Sequence, residues 1–128
     1  MLKIKDLYWL AGLIEGEGCF SLQGNGSRGK GKCWTRKPNI RIGMADKDVL
    51  DYAARIFNTN VTGPYKNKLP NGTLGKDIWH ISINGNKAIQ WMMTLYSLMS
   101  QRRKNKIEEI INYWKANHKG VNYRSLEK

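Results

Sequence analysis

The stretch LAGLIEGEG occupies residues 10–18 and joins an apolar helical pattern to two glutamates set among glycines. Its spacing predicts a helix that Asp6 caps and that ends near Glu17, with Gly18 just past the end. Glu15 and Glu17 fall in the last turn, where the negative end of the helix dipole disfavours carboxylates. One stripe of the helix suits packing against a sheet, and it consists of Leu7, Leu10, Ala11 and Ile14.

A second stripe of the same helix contains small residues, and its members are Trp9, Gly12, Leu13 and Gly16. Gly12 and Gly16 lie four residues apart, so their missing side chains allow another helix to approach closely. Two glycines inside a helix cost about 1–2 kcal/mol relative to alanine, which a close helix–helix contact would offset. Because the chain has one such helix, we expect the partner to be a second copy related by a two-fold axis.

The two glutamates have two explanations on physical grounds alone. Dimerisation would bring more carboxylates together, and a divalent cation such as Mg²⁺ would turn their repulsion into attraction. Glutamates that simply extend into water explain the pattern equally well.

Composition and charge point to a basic, globular protein. The 128 residues fit one domain, residues 1–128, and 41% hydrophobic residues suffice for a core. The 22 Lys and Arg residues outnumber the 10 Asp and Glu residues, for a net charge of +12. That excess favours nucleic acid as a partner, ahead of a membrane surface or of no charged partner at all. Since no basic amphipathic helix stands apart from the rest, we expect no membrane partner.

Targeting signals and metal motifs are missing from the sequence. No stretch approaches the ~18 apolar residues of a membrane helix, and the N-terminal apolar run stops at two acids, unlike a signal peptide. We therefore expect an intracellular protein in which Cys19 and Cys33 are reduced thiols. His80 and His118 are scattered relative to these cysteines, without the spacing of a structural zinc site.

Alternating apolar and polar residues predict two β-hairpins between helices. The first hairpin covers residues 19–25 and about 34–45 around a glycine-rich turn, and the second covers 61–68 and 76–85. A helix over residues 45–58, capped by Asp46, separates the two hairpins. Helical patterns at 87–99 and 100–118 close the chain, and residues 119–128 form a flexible tail. The predicted order is αββαββα, an α+β antiparallel sheet with helices on one face.

Residues 10–18 resemble the signature of the LAGLIDADG homing endonucleases. They match that nine-residue name at six positions, with Glu for Asp twice and Gly for the second Ala. The layout and length are similar to those of single-motif members, which act as homodimers. The resemblance implies the LAGLIDADG-type fold, with a DNA-binding face opposite the helices. It also implies site-specific, metal-dependent cleavage of double-stranded DNA at a long pseudo-palindromic target, as in intron homing.

The resemblance also implies roles for individual residues. Glu17 would bind the catalytic Mg²⁺, or another divalent cation such as Mn²⁺, with the carbonyl of Gly16 as a further ligand and Glu15 in a supporting role. The family uses a basic residue near the start of the C-terminal helix, for which the candidates are Arg102 and Lys104, followed by Gln101. A polar residue often ends the second strand, where this chain has Ala45, which has no functional side chain, and then Asp46.

In the family, the polar face of the sheet lies along the major groove. Arg, Gln and Asn can read base edges there, whereas Lys more often contacts phosphates. The residues expected to contact DNA from the first hairpin are Gln23, Asn25, Arg28, Lys30, Lys32, Trp34, Thr35, Lys37, Asn39 and Arg41. Those expected from the second hairpin are Tyr65, Lys66, Asn67, Lys68, Lys76 and His80.

Two other functions are compatible with the same fold: an intron maturase that binds RNA, and a DNA-binding regulator that has lost cleavage. Glu17 favours cleavage, because a pure binder gains nothing from a carboxylate near phosphates, whereas Ala45 favours the alternatives. A ribosome-associated or other RNA-binding protein explains the charge but not the motif. The expected compartment is the cytoplasm or nucleoid of a prokaryote or phage-infected cell, or the matrix of an organelle.

Overall fold

A computed structural model of the chain describes residues 2–24 and 36–117. The elements are α1 (Ile4–Glu17), β1 (Gly18–Gln23), β2 (Lys37–Met44), α2 (Lys47–Phe57), β3 (Thr62–Lys68), β4 (Leu74–Asn84), α3 (Gly85–Leu95), a 3-10 turn (Tyr96–Leu98) and α4 (Gln101–Asn117). The predicted order αββαββα is confirmed, with two helices at its last position. Residues 119–128, predicted to be a flexible tail, lie outside the described residues.

The four strands form one antiparallel sheet in the order β1-β2-β4-β3. The first hairpin pairs Gly18 with Ile42 and Gln23 with Lys37. The central pair, β2 and β4, joins the two hairpins and places Gly43 opposite His80. The outer pair, β3 and β4, contains register shifts.

The core lies between one face of the sheet and the helices. Alternate strand residues point to the same face, and the buried ones are Phe20, Ile40, Ile42, Ile81 and Ile83. The helices contribute Leu10, Ile14, Leu50, Phe57, Met92, Leu95, Ile107 and Ile110 to the same cluster. The predicted arrangement, with helices against one face of the sheet, is therefore confirmed. None of the helices within 2–24 and 36–117 is long and apolar enough to cross a membrane.

The two ends of α1 differ in detail from the prediction. The helix begins at Ile4, and the prediction that Asp6 caps it is wrong. Asp6 lies in the first turn, where a carboxylate suits the helix dipole, and it accepts a hydrogen bond from the Tyr52 hydroxyl. At the other end, Gly18 has an extended φ of −87°. A Cβ there would lie 2.8 Å from the Ile14 side chain, so close packing is what favours glycine at position 18.

Candidate active site

The carboxylate of Glu17 stands at the junction between helix and sheet. Glu17 is the last residue of α1, and β1 begins at the next residue without an intervening loop. Because β1 pairs Gly18 with Ile42, strand β2 ends beside the end of α1. Ala45 and Asp46 follow that strand directly, and both are exposed. Asp46 precedes α2 as predicted but makes no side-chain capping bond.

Glu15 is engaged with the start of α4. Ser100 donates its backbone N–H to Oε1 of Glu15 (2.6 Å) and its hydroxyl to Oε2 (3.1 Å). The Ser100 N–H is the main cause of a lowered Glu15 pKa, and Arg103 acts in the same direction. A carboxylate is favourable at a helix N-terminus. The position of Glu15 is therefore stabilised by the start of α4, although the residue belongs to α1. Glu17 is exposed, and none of the described side chains pairs with it.

Arg103 reaches from α4 to the last turn of α1. Its Nε donates to Oε2 of Glu15 at 2.8 Å, Nη2 to the Glu15 carbonyl at 3.0 Å, and Nη1 to the Gly18 carbonyl at 2.9 Å. Its neighbours Arg102 and Lys104, and not Arg103, were the basic residues predicted from sequence to have a role. Helical spacing could have identified it, because Arg103, Ile107 and Ile110 are the buried residues of α4 and lie on one stripe.

The three basic or polar candidates on α4 point in different directions. Arg102 is exposed and lines a groove of about 490 Å³ between β1 and α4, together with Gly18 and Cys19. Lys104 lies 5.6 Å from the centre of the Tyr96 ring. Gln101 donates to the side chain of Asn105 at 2.8 Å. Of the three, Arg102 is the one that shares a groove with the start of β1.

The end of α1 fits an open Mg²⁺ site. Among residues 2–24 and 36–117, no group of three or more His, Cys, Asp or Glu side chains could hold a metal. Mg²⁺ commonly takes only one or two carboxylates and completes its shell with water and substrate phosphates. The exposed carboxylate of Glu17 matches that donor set. The turn and cap hydrogen bonds of the described backbone also leave the Gly16 carbonyl unused.

The outer face of α1 is not covered by the described part of the chain. Gly12 and Gly16 are exposed, and a Cβ built on either glycine would meet no atom within 4 Å. Leu13 is half-buried, and Trp9 stays 37% exposed although its edge packs on Tyr52. Large apolar side chains are also exposed on α1, at Ile4 and Tyr8, and just before it, at Leu2.

On the first hairpin, the open face of the sheet contains both exposed and buried polar residues. Gln23, Lys37 and Arg41 are exposed, as predicted. Asn39, also predicted to contact DNA, is instead fully buried in the single chain. Its Nδ2 donates to the Ser82 hydroxyl at 2.8 Å and to the Asn84 side chain at 2.6 Å. Asn39 lies opposite Asn84, the last residue of β4. The amide nitrogen of Asn39 therefore finds partners within the protein, whereas its Oδ1 has none among the described residues.

The second hairpin places His80 against Gly43 of β2. A Cβ on Gly43 would lie 2.6 Å from Nδ1 of His80, so the imidazole lies directly over this glycine. Burial, and secondarily the charge of Arg41, lower the pKa of His80. Tyr65 lies beside the imidazole, and Lys66, which pairs with Asp77 at 2.6 Å, is exposed with Lys68 and Lys76.

This arrangement is similar to solved DNA-bound endonucleases. The homing endonuclease I-CeuI in complex with DNA matches with a TM-score of 0.64 and 14% identity, over 88% of this chain and 55% of that one. I-CvuI with its target and calcium matches with a TM-score of 0.62 and 15% identity, over 91% of this chain and 73% of that one. The archaeal I-Vdi141I in complex with DNA matches with a TM-score of 0.58 and 18% identity, over 87% of this chain and 65% of that one.

The chain has the LAGLIDADG homing endonuclease fold. The resemblance predicted from the motif is thus confirmed at the level of the fold. No model of a known protein family and no curated protein matches the sequence. The chain spans about half the length of the I-CeuI chain.

Several predicted contacts of this LAGLIDADG fold lie outside the described residues. They belong to the turn of the first hairpin, and they are Asn25, Arg28, Lys30, Lys32, Trp34 and Thr35. Cys33 and His118 also lie outside. Asn67 belongs to β3. Cys19 is a free, exposed thiol, as predicted.

Proposed function

We propose that the chain is a divalent-metal-dependent DNA endonuclease that cuts a long, pseudo-palindromic site as a homodimer. The observation that carries this proposal is the exposed, uncommitted carboxylate of Glu17 at the end of a glycine-lined helix in the LAGLIDADG fold. Glu15 is satisfied within the chain, whereas Glu17 pairs with no described side chain. A protein that only binds nucleic acid gains nothing from such a carboxylate near phosphates.

The proposed dimer forms through the outer face of α1. Gly12 and Gly16 leave room for a second helix, and Trp9 and Leu13 border them with apolar surface. Contact between two copies would bury the glycines that otherwise weaken α1. A two-fold axis beside α1 would place one Glu17 from each copy near the other, with one carboxylate for each DNA strand.

In the proposed mechanism, Glu17 and the Gly16 carbonyl are the groups that would hold Mg²⁺ or Mn²⁺. The ion would neutralise phosphate charge and activate a water. Arg102, in the groove beside Gly18, is positioned to attract the phosphate charge that increases in the transition state. Glu15 keeps the N-terminus of α4 against α1. Ala45 contributes no proton donor or acceptor, and Asp46, free of a capping bond, is the polar group left at that end of β2.

The proposed substrate is double-stranded DNA bound along the open face of the sheet. A net charge of +12 suits a polyanion as partner. The exposed cations of the two hairpins include Lys37, Arg41, Lys68 and Lys76. I-CeuI, I-CvuI and I-Vdi141I were each solved with DNA. The protein would act where such DNA is found, in the cytoplasm or nucleoid of a prokaryote or infected cell, or in an organelle matrix.

One observation favours a second function. Because Ala45 lacks a functional side chain, a regulator or RNA-binding maturase of the same fold would be expected to tolerate it better than a nuclease. These functions require binding without cleavage.

The test is cleavage of a randomised DNA library in Mg²⁺ by wild type, Glu17→Gln and Asp51→Asn. Asp51 is a matched control because it is a surface acid on α2 that pairs only with Lys47, at 3.2 Å. We expect metal-dependent cuts by wild type and by D51N, and a loss of at least about 100-fold in E17Q with an unchanged melting temperature. Cuts that persist in E17Q would refute the role of Glu17, and wild type that binds DNA or RNA without cutting would support the second function.

A further inference from the structure

We propose that Arg103 is a positioning residue for cleavage: it locks the end of α1 to the start of α4, so that Glu17 and Arg102 face the same phosphate. This inference rests on the proposed endonuclease function. Arg103 lines the same groove as Arg102, but it is only 9% exposed and its guanidinium donates to oxygen atoms of Glu15 and Gly18.

The first argument concerns the carbonyl groups of α1. A helix leaves its last carbonyls without partners, and these groups need donors from elsewhere. Arg103 donates hydrogen bonds to the carbonyls of Glu15 and Gly18. These two residues flank Gly16 and Glu17 on both sides. The guanidinium therefore holds each end of the two-residue segment that carries the proposed metal ligands, and it leaves the Gly16 carbonyl free for a metal.

The second argument concerns the shape of the side chain. Three different nitrogens of Arg103 donate to three different oxygens, at 2.8–3.0 Å. The guanidinium presents these donors in one rigid plane, whereas a lysine ammonium cannot match such a fork. Lysine at this position keeps the charge but loses the fork. The effect of charge and the effect of geometry are therefore separable by experiment.

The third argument concerns charge. Arg103 is paired with Glu15, and the two charges cancel. The charge of Glu17 is left uncompensated at the negative end of the helix dipole, which favours a bound cation. Without Arg103, the Glu15 carboxylate would compete with Glu17 for the same ion.

The fourth argument concerns α4. Successive residues of a helix are 100° apart, so fixing Arg103 against α1 also fixes the direction of Arg102. Arg102 then lines the groove beside Gly18 and Cys19. One buried side chain thus orients a proposed metal ligand on one helix and a proposed phosphate-binding group on the other.

The experiment compares Arg103→Lys with Arg55→Lys in the full chain. Arg55 is an exposed arginine of α2 whose guanidinium lies 5.4 Å from the centre of the Tyr52 ring, so R55K controls for the replacement of arginine by lysine itself. We expect R103K to lower the single-turnover cleavage rate about 10–100-fold and to raise the Mg²⁺ concentration for half-maximal cleavage. Metal-free affinity for target DNA should stay unchanged, and R55K should match wild type in all three quantities.

Hydrogen exchange in the free protein tests the positioning without cleavage. Amides of residues 16–20 should exchange faster in R103K and at the wild-type rate in R55K. If R103K does not fold, Glu15→Gln replaces it, because this variant loses the carboxylate contact but keeps both carbonyls. E15Q should then raise the half-maximal Mg²⁺ concentration, and an unchanged value would overturn the inference.

The outcomes separate this inference from the proposed function. R103K that is folded, cleaves at the wild-type rate and needs no more Mg²⁺ would overturn the positioning role and leave the nuclease intact. Wild type that does not cut DNA would refute the nuclease, while the exchange rates would still decide whether Arg103 holds the end of α1.

Discussion

Replacing Gly12 by leucine separates the stability of one chain from the association of two. In a single chain, a Cβ built on Gly12 meets no described atom within 4 Å, so a side chain can leave the helix there without a clash. Leucine also favours the helix by about 0.8 kcal/mol over glycine. For a domain of this size, that gain should raise the melting temperature of the monomer by about 2–5 °C. If the protein is a monomer, G12L should therefore melt at a higher temperature than wild type.

The same change should oppose a dimer that uses the outer face of α1. Each copy would place a leucine into a contact sized for glycine, and overpacking costs about 1–3 kcal/mol for each insertion. With one leucine from each copy, association should weaken by about 2–6 kcal/mol, or about 30-fold to 10⁴-fold in Kd. The variant is thus expected to be a more stable monomer and a poorer dimer.

Sedimentation velocity over a dilution series measures the dimer, and calorimetry at high dilution measures the monomer. The control Asn112→Leu adds the same exposed side chain to α4, and it should leave the dimer intact. G12L that associates with the wild-type Kd would refute an interface at Gly12. A wild type that is monomeric at every concentration would refute the dimer itself.

Two further predictions concern the described contacts. Glu15→Gln should reduce the loss of stability in acid: the folded pKa of Glu15 lies below its ordinary value of 4.5, so its stabilisation is present above that value and is lost as the pH falls through the folded pKa. Between neutral and acidic pH, the melting temperature should fall less steeply in E15Q than in wild type or in the surface control Glu109→Gln. Parallel curves of melting temperature against pH would contradict a stabilising role of the Glu15 carboxylate. Asn39→Ala should lower the free energy of unfolding in urea by about 0.5–1.5 kcal/mol, because it removes the hydrogen bonds from the buried Asn39 side chain to Ser82 and Asn84. The exposed control Gln23→Ala should not do so, and a fully stable N39A with weaker DNA binding would support Asn39 as a DNA contact.

The fold could be predicted because its signals are local. Helical and two-residue periodicities identified each element, and alternation identified the core face at Ile40, Ile42, Ile81 and Ile83. The burial of Asn39 was not predicted, because alternation assigns a residue to a face of the sheet but does not say whether water reaches it. That depends on the pairing between β2 and β4, which are distant in sequence.

The candidate site was predicted in part, for a similar reason. Glu17 follows from its motif, and its exposure agrees with that assignment. Arg103 was not selected because it lies in a run of cations, and the prediction favoured its neighbours Arg102 and Lys104. The roles of Glu15 and Arg103 arise from contacts between residues 85 and 88 positions apart, which no local pattern encodes.

The direct passage from α1 into β1 constrains how such a chain can vary. An inserted residue before Gly18 would shift β1 by one position against β2, and every side chain of that strand would move to the opposite face. The same insertion within α1 would rotate the glycines by 100° away from their stripe. A substitution such as Asp for Glu in this segment therefore keeps the register of β1, whereas a change in the length of the segment would turn the apolar side chains of β1 away from the core.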